Sequence, residues 1–148
     1  MKTIIALWNT ANCGKTETLR HLARILVETF PNNFELDPPG PTIPGQGDFR
    51  LIVRTGERIV ALETQGDPGY GLAEKLDELS GRFEADLIFC STRTRGETVH
   101  AVENLARTRD FEVIWTSTYT NDDSDRHDFL NNLKADHIFD LARRANLI

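Results

Sequence analysis

Apolar residues follow two patterns along the chain, and together these patterns predict an alternation of strands and helices. Mainly apolar runs, typical of buried strands, occur at residues 4–8, 49–54, 58–62, 85–90 and 111–115. Apolar residues spaced three or four apart, typical of helices with one buried face, occur at residues 19–30, 72–79, 97–107 and 129–142. This order predicts a three-layer α/β fold with about five mostly parallel strands and helices on both faces of the sheet.

Two of the predicted strands, 49–54 and 58–62, are separated only by Thr55, Gly56 and Glu57. A short glycine-containing connection between apolar runs predicts a β-hairpin, and hence one antiparallel strand in the sheet. The preceding segment, residues 31–48, is rich in proline and glycine, which argues against a helix or a central strand there. Two interpretations of this segment stay open: a mobile surface excursion, or a loop that binds a substrate or an effector.

Length and composition indicate a single domain, residues 1–148, of ordinary globular character. The chain is 39% hydrophobic and 27% charged, and no apolar run approaches the roughly 20 residues of a membrane span. We therefore expect a cytoplasmic protein with no membrane partner. The formal net charge of -6 argues against nonspecific binding of nucleic acid through a broad basic face.

The two cysteines, Cys13 and Cys90, are too few for a disulfide framework and lack the spacing of a metal site. A reducing compartment is the simplest interpretation. Both cysteines fall near the predicted ends of parallel strands, so we expect a thiol at the mouth of a binding crevice.

The first predicted strand leads into a loop, residues 9–16, that reads Asn-Thr-Ala-Asn-Cys-Gly-Lys-Thr and passes directly into the first helix. The loop resembles the Walker A motif, G-x-x-x-x-G-K-[ST], of the P-loop nucleoside triphosphatase superfamily. Gly14, Lys15 and Thr16 match this motif, and Asn9 replaces its first glycine. Because asparagine adopts left-handed backbone conformations more readily than other non-glycine residues, we expect Asn9 to permit a loop of normal shape.

Two arguments assign phosphate binding to this loop. The start of a helix has unpaired N–H groups and a partial positive charge, to which Lys15 adds a full charge. The resemblance implies that the loop amides hold the phosphates, that Lys15 reaches the outer ones and that Thr16 ligates magnesium. The expected phosphate-binding residues are Asn9, Thr10, Ala11, Asn12, Cys13, Gly14, Lys15, Thr16 and Glu17. The alternative is a plain connection between strand and helix, with Lys15 as a solvated surface charge.

A second motif, containing Glu63, Gln65, Gly66 and Asp67, follows the strand at 58–62. A carboxylate after an apolar strand resembles the Walker B arrangement, and Glu63 to Gly66 has the D-x-x-G spacing of small GTPases with Glu in place of Asp. The preceding hairpin resembles the Ras-like branch of the superfamily. The resemblance implies that Glu63 faces the magnesium shell, that the Gly66 amide senses the terminal phosphate, and that Asp67 is a competing carboxylate. The alternative is a glycine-rich turn.

Two arginines, Arg93 and Arg95, follow the strand at 85–90 in a polar loop. Each could reach a phosphate or stack on a base, and each could equally be a solvated arginine. After the last strand the chain lacks the N-K-x-D motif by which small GTPases recognise guanine. It offers Tyr119, which could pack on a base, and further along Asp122 and Asp123. The resemblance therefore favours ATP over GTP.

The three motif regions, residues 9–16, 63–67 and 91–95, all follow predicted strands, and parallel strands bring such ends to one edge of a sheet. We therefore predict a single site that binds a nucleoside triphosphate with magnesium and hydrolyses it. The expected catalytic residues are Lys15, Asp67, Arg93 and Arg95, and the expected metal ligands are Thr16 and Glu63. Two alternatives stay open: a small-molecule or nucleotide kinase, and a nucleotide-dependent interaction module without hydrolysis. Residues 31–48 are the candidate contact for an acceptor or a protein partner.

Overall fold

The computed structural model describes residues 1–148. It contains a six-stranded mixed sheet and four α-helices, which confirms the expected α/β class. The strands are β1 (Lys2–Trp8), β2 (Phe34–Asp37), β3 (Arg50–Arg54), β4 (Ile59–Glu63), β5 (Leu87–Thr92) and β6 (Phe111–Thr116). The helices are α1 (Lys15–Thr29), α2 (Leu72–Gly81), α3 (Glu97–Arg109) and α4 (His127–Arg144), with a single 3-10 turn at Ser124–Arg126 before α4. None of these helices is both long enough and apolar enough to cross a membrane.

Strand β1 has an interior position in the sheet, whose order is β2-β3-β4-β5-β1-β6. It pairs in parallel with β5 and with β6, and β5 pairs in parallel with β4. Strand β3 runs antiparallel to both β2 and β4, which confirms the predicted hairpin and its antiparallel strand. The carboxyl ends of β1, β4, β5 and β6 therefore lie at one edge of the sheet, where their loops can form a common site.

The sheet is covered on both faces, and alternate residues of β1 face the two sides. Ile5 and Leu7 are fully buried in a cluster with apolar residues of α1 and α4, whereas Ile4 and Ala6 are fully buried in a second cluster with those of α2 and α3. Neighbouring residues of a strand point to opposite faces, so β1 contributes to both clusters. Burial of each large aliphatic side chain stabilises the folded state by about 1.5–3 kcal/mol. The end of β1, from which the next loop starts, is therefore held firmly in the core.

The sixth strand, β2, lies inside the segment that the sequence predicted to be irregular. The sheet therefore has one strand more than the expected number of about five. Strand β2 has four residues, pairs only with β3 at the edge of the sheet, and among its residues buries only Leu36. A run this short, placed between asparagines and prolines, shows no recognisable hydrophobic period. Its pairing partner β3, rather than its own sequence, makes it a strand.

The rest of that segment, residues 38–48, forms no helix or strand, as predicted. It is attached to α1 through Arg20, whose side chain is only 2% exposed. The guanidinium of Arg20 donates hydrogen bonds to the carbonyls of Pro44 (2.5 Å) and Gly47 (3.0 Å). The segment around these two residues is therefore packed against α1 rather than extended into solvent.

Candidate functional site

The loop between β1 and α1 turns at two residues with positive φ, Asn12 (58°) and Gly14 (79°). Asn9 is not among the residues with positive φ, so the left-handed tolerance of asparagine is used at Asn12 and not at Asn9. Asn9 instead continues the strand ladder, because its N–H donates to the carbonyl of Thr92 on the neighbouring strand (3.2 Å). A glycine is needed at position 14 for a second reason, since a Cβ there would lie 2.5 Å from Oδ1 of Asn131 on α4.

The backbone N–H groups from Ala11 to Glu17 donate to no acceptor within the chain. The first helical hydrogen bond of α1 runs from the N–H of Thr18 to the carbonyl of Gly14 (2.9 Å). The same residues, 11–17, together with Asp67, line a cavity of about 230 Å³. Consecutive unpaired N–H groups at the start of a helix form an environment that favours an anion.

Lys15 lies over this loop and is only 7% exposed, so the alternative of a solvated surface charge is wrong. Its ammonium Nζ donates hydrogen bonds to the carbonyls of Asn9 (2.6 Å) and Thr10 (2.8 Å). Burial lowers the pKa of Lys15, and the nearby Arg93 lowers it further, against the opposing effects of Asp67 and Cys13. A buried cation beside unpaired N–H groups strengthens the preference of the cavity for an anion.

Asp67 and Arg93 reach the same region from the loops after β4 and β5. Nε of Arg93 donates to Oδ1 of Asp67 at 3.0 Å, and both side chains are partly exposed. The backbone of Arg93 is fixed as well, since its N–H donates to the hydroxyl of Thr98 (3.0 Å). Arg95 is exposed and forms no ion pair or hydrogen bond through its side chain, so the structure joins only one of the two arginines to the site.

Gly66 stands one residue before Asp67, packed against the end of β5. A Cβ at this position would lie 2.0 Å from the carbonyl oxygen of Ser91, and no side chain fits in that space. The loop is further held by Gln65, which donates to Asp48 (2.9 Å) and accepts from the N–H of Asp67 (3.0 Å). Close packing is therefore a sufficient reason for glycine at position 66.

Glu63 does not line the cavity at residues 11–17. Strand β5 lies between β1 and β4, and Glu63 is in register with Cys90, which is in register with Ala6. Two strand spacings separate it from β1, which amounts to about 10 Å. Glu63 lines a different cavity of about 230 Å³, together with Arg50, Tyr70 and Lys75.

Arg50 binds the Glu63 carboxylate directly, with Nε and Oε2 3.0 Å apart. Burial raises the pKa of Glu63 in spite of this contact. Burial also opposes the charged form of Arg50, but its two carboxylate partners, Glu63 and Glu78, outweigh that effect and raise its pKa. The two directions agree physically because burial is the largest effect on Glu63 and exceeds the opposing effects of Arg50 and Lys75, whereas Arg50 has a second, more exposed carboxylate in Glu78.

The chain contains no group of three or more His, Cys, Asp or Glu side chains arranged to hold a metal ion. Magnesium bound with a nucleotide requires less, because it keeps several waters and uses one or two protein ligands beside the phosphates. Thr16 and Asp67 line the same cavity and supply oxygen atoms of the kind that magnesium prefers. These two residues fit that requirement, and Glu63 does not.

A larger cavity of about 470 Å³ adjoins the loop on its other side, and residues 12–14 line both cavities. Its other lining residues are Tyr119, Thr120, Asn121, Asp122, His127 and Asn131. Neither His127 nor Asn131 belongs to a recognisable motif in the sequence, so their place beside the loop is seen only in the structure. The Tyr119 hydroxyl is 2.6 Å from Nδ1 of His137, which fixes the ring.

Of the two cysteines, Cys13 lines both cavities, as expected for a thiol at the mouth of a site. The same expectation is wrong for Cys90, which is fully buried within the sheet. Burial raises the pKa of Cys90 to about 12, so its thiol stays protonated.

Comparisons with family models, with curated proteins and with solved structures give no match to this chain.

Proposed function

We propose that the chain is a P-loop nucleoside triphosphatase that binds ATP, in preference to GTP, together with magnesium and hydrolyses it. The observation that carries this proposal is the buried ammonium of Lys15 at the start of α1, beside the unpaired N–H groups of residues 11–17. A triphosphate would satisfy both: its oxygens accept from the N–H groups, and Lys15 exchanges its two carbonyl contacts for a phosphate.

In this assignment Thr16 and Asp67 would hold the magnesium ion together with phosphate oxygens. Arg93 donates a hydrogen bond to Asp67, which lines this cavity, and would supply the positive charge that a transferring phosphoryl group requires. Phosphoryl transfer depends mainly on such positioning and charge neutralisation, so these residues need not form a covalent intermediate.

The nucleoside would occupy the 470 Å³ cavity, since residues 12–14 connect it to the phosphate loop. Tyr119 offers an aromatic surface for a base, whereas the N-K-x-D motif that reads guanine is missing from this loop. We expect ATP to bind at least as tightly as GTP. Competition of the two nucleotides against one fluorescent analogue measures this, and a GTP preference of about tenfold, or 1.4 kcal/mol, would instead assign guanine to the pocket, with Asp122 as its partner.

A second candidate function, a kinase, is favoured by the separate cavity beside Glu63. Asp37 and Asp48, from the 31–48 segment, line it together with Lys75. Gln65 lines this cavity and Asp67, two residues later, lines the phosphate-loop cavity, so a single loop separates the two spaces. An acceptor bound there would lie close to the triphosphate.

Turnover measurements with ATP and magnesium separate the candidates. Release of inorganic phosphate without an added acceptor supports hydrolysis, and ADP formation that requires an acceptor supports the kinase. Calorimetric binding without either product supports an interaction module that does not hydrolyse the nucleotide. Absence of nucleotide binding would contradict all three.

A further inference from the structure

The buried hydroxyl of Thr118 connects the phosphate loop to the segment that lines the larger cavity. Thr118 follows β6, is 6% exposed, and directly precedes Tyr119. Its Oγ1 donates to the carbonyl of Cys13 (2.5 Å) and accepts from Nδ2 of Asn9 (3.1 Å). One side chain therefore contacts the loop near both of its ends.

Three hydrogen bonds determine which groups donate and which accept in this cluster. A hydroxyl has one proton, which Thr118 gives to the Cys13 carbonyl, so its lone pair must accept from the amide group of Asn9. The amide oxygen of Asn9 in turn accepts from the N–H of Thr10 (2.8 Å). A rotation of this amide by 180° would place its NH₂ group against the N–H of Thr10, which is a donor. It would also place its oxygen against Thr118, whose only proton is donated to Cys13. The orientation of the amide is therefore fixed.

We propose that Asn9 and Thr118 are positioning residues that couple occupancy of the larger cavity to the geometry of the phosphate loop. The inference rests on the proposed function, because it assigns the nucleoside and the phosphates to the two cavities. A base packed against Tyr119 restrains the backbone of Thr118, and the two hydrogen bonds of Thr118 transmit that restraint to Asn9 and Cys13. Neither residue needs to contact the ligand.

The same contacts explain what replaces the first glycine of the motif. The N–H of Asn9 extends the hydrogen-bond ladder of β1 by one residue, and its side chain donates to Thr118. Asn9→Gly would match the Walker A pattern better but would remove the contacts to Thr118 and Thr10. The inference therefore predicts that restoring the glycine weakens binding.

The experiment compares the wild type with Thr118→Val, which keeps the shape and loses the hydroxyl, with Thr118→Ser, which keeps the hydroxyl, and with Asn9→Gly. The first measurement is the rate of maleimide labelling at Cys13 without any nucleotide, with the buried Cys90 as the internal unreactive thiol. We expect labelling several-fold faster in Thr118→Val and Asn9→Gly, and near the wild-type rate in Thr118→Ser. Equal rates in all four proteins would overturn the connection itself.

The second measurement is the affinity for inorganic tripolyphosphate, by calorimetry, with and without saturating adenosine. In the wild type and in Thr118→Ser we expect adenosine to tighten tripolyphosphate binding by about fivefold or more, the lower end of typical coupling between sites. In Thr118→Val and Asn9→Gly this effect should be lost, and tripolyphosphate alone should also bind more weakly to Asn9→Gly than to the wild type. Undiminished coupling in Thr118→Val, or tighter binding to Asn9→Gly, would overturn the inference.

If the wild type binds neither tripolyphosphate nor ATP, the proposed function fails, whereas the labelling rates still report on the connection.

Discussion

The guanidinium of Arg93 and the carboxylate of Asp67 form a hydrogen bond of 3.0 Å between Nε and Oδ1, although the two residues belong to loops after different strands. Asp67 also lines the cavity of the phosphate loop. The pair thus brings a positive and a negative side chain from separate parts of the sequence to one edge of the sheet. Its geometry leads to the first prediction.

Arg93→Ala should lower kcat for ATP hydrolysis by about 10²-fold, the usual effect of removing one charged group that stabilises a transition state. The affinity for ATP should change much less. Arg95→Ala is the matched control, because Arg95 stands in the same loop, is exposed and has no side-chain partner. Steady-state release of phosphate measures both variants. An equal loss of kcat in the two would show that general charge, and not the position of Arg93, matters.

Thr16→Val and Asp67→Asn should each weaken the binding of ATP in the presence of magnesium by about tenfold, and should have little effect when magnesium is chelated. Thr16→Ser keeps the hydroxyl and should bind like the wild type. Glu63→Gln serves as the second control, since Glu63 lines a different cavity. Calorimetric titrations with and without EDTA give the comparison. If ATP binding lost its dependence on magnesium only in Glu63→Gln, Glu63 would be the metal ligand in place of Thr16 and Asp67.

The burial of Glu63 should appear in the pH dependence of stability. Burial raises the pKa of this carboxyl above its ordinary value of 4.5, so the folded state binds more protons than the unfolded state in the interval between the two pKa values. The contribution of Glu63 to the free energy of unfolding is therefore greatest below the ordinary value and decreases as the pH rises through the raised value.

Glu63→Gln removes this titration. Urea unfolding of the wild type and the variant, from about pH 4 to about pH 8, should show the wild type losing stability relative to the variant as the pH rises. A relative gain of the wild type over the same interval would mean that Arg50 dominates and that the pKa of Glu63 is lowered.

Gly66→Ala should destabilise the fold by about 2 kcal/mol or more, because its Cβ would lie 2.0 Å from the carbonyl of Ser91 and the backbone there would have to move. Gly45→Ala is the control: a Cβ at position 45 meets nothing within 4 Å. Urea unfolding measures both. Equal stability of Gly66→Ala and the wild type would leave phosphate sensing, rather than packing, as the reason for glycine at this position.

The sequence predicted the parts of the site that are encoded locally. The strand, loop and helix around Lys15 are contiguous, so their pattern and their chemistry could be recognised together. The strand order could not be predicted in this way, because local patterns do not show that β5 lies between β1 and β4. For that reason the sequence pattern groups Glu63 with Lys15, whereas in the structure the two residues line different cavities.

The contacts of Thr118 and Asn131 were missed for a related reason. Both residues lie more than a hundred positions after the loop that they contact, and a single threonine after a strand or an asparagine on a helix gives no signal of its own. Only the parallel pairing of β1 with β6 and the packing of α4 on α1 bring them to the loop.

Calorimetric titration of ATP with magnesium measures whether Lys15 and the N–H groups beside it bind the phosphates of a nucleotide. The variant is Lys15→Met, which keeps most of the buried aliphatic stem, and Lys75→Met is the control, because Lys75 lines the separate cavity beside Glu63. We predict that wild type and Lys75→Met bind ATP, and that a folded Lys15→Met binds at least about 100-fold more weakly, a loss of roughly 2.7 kcal/mol. An unchanged affinity in folded Lys15→Met, or no binding to the wild type, would contradict the assignment of this loop to phosphate.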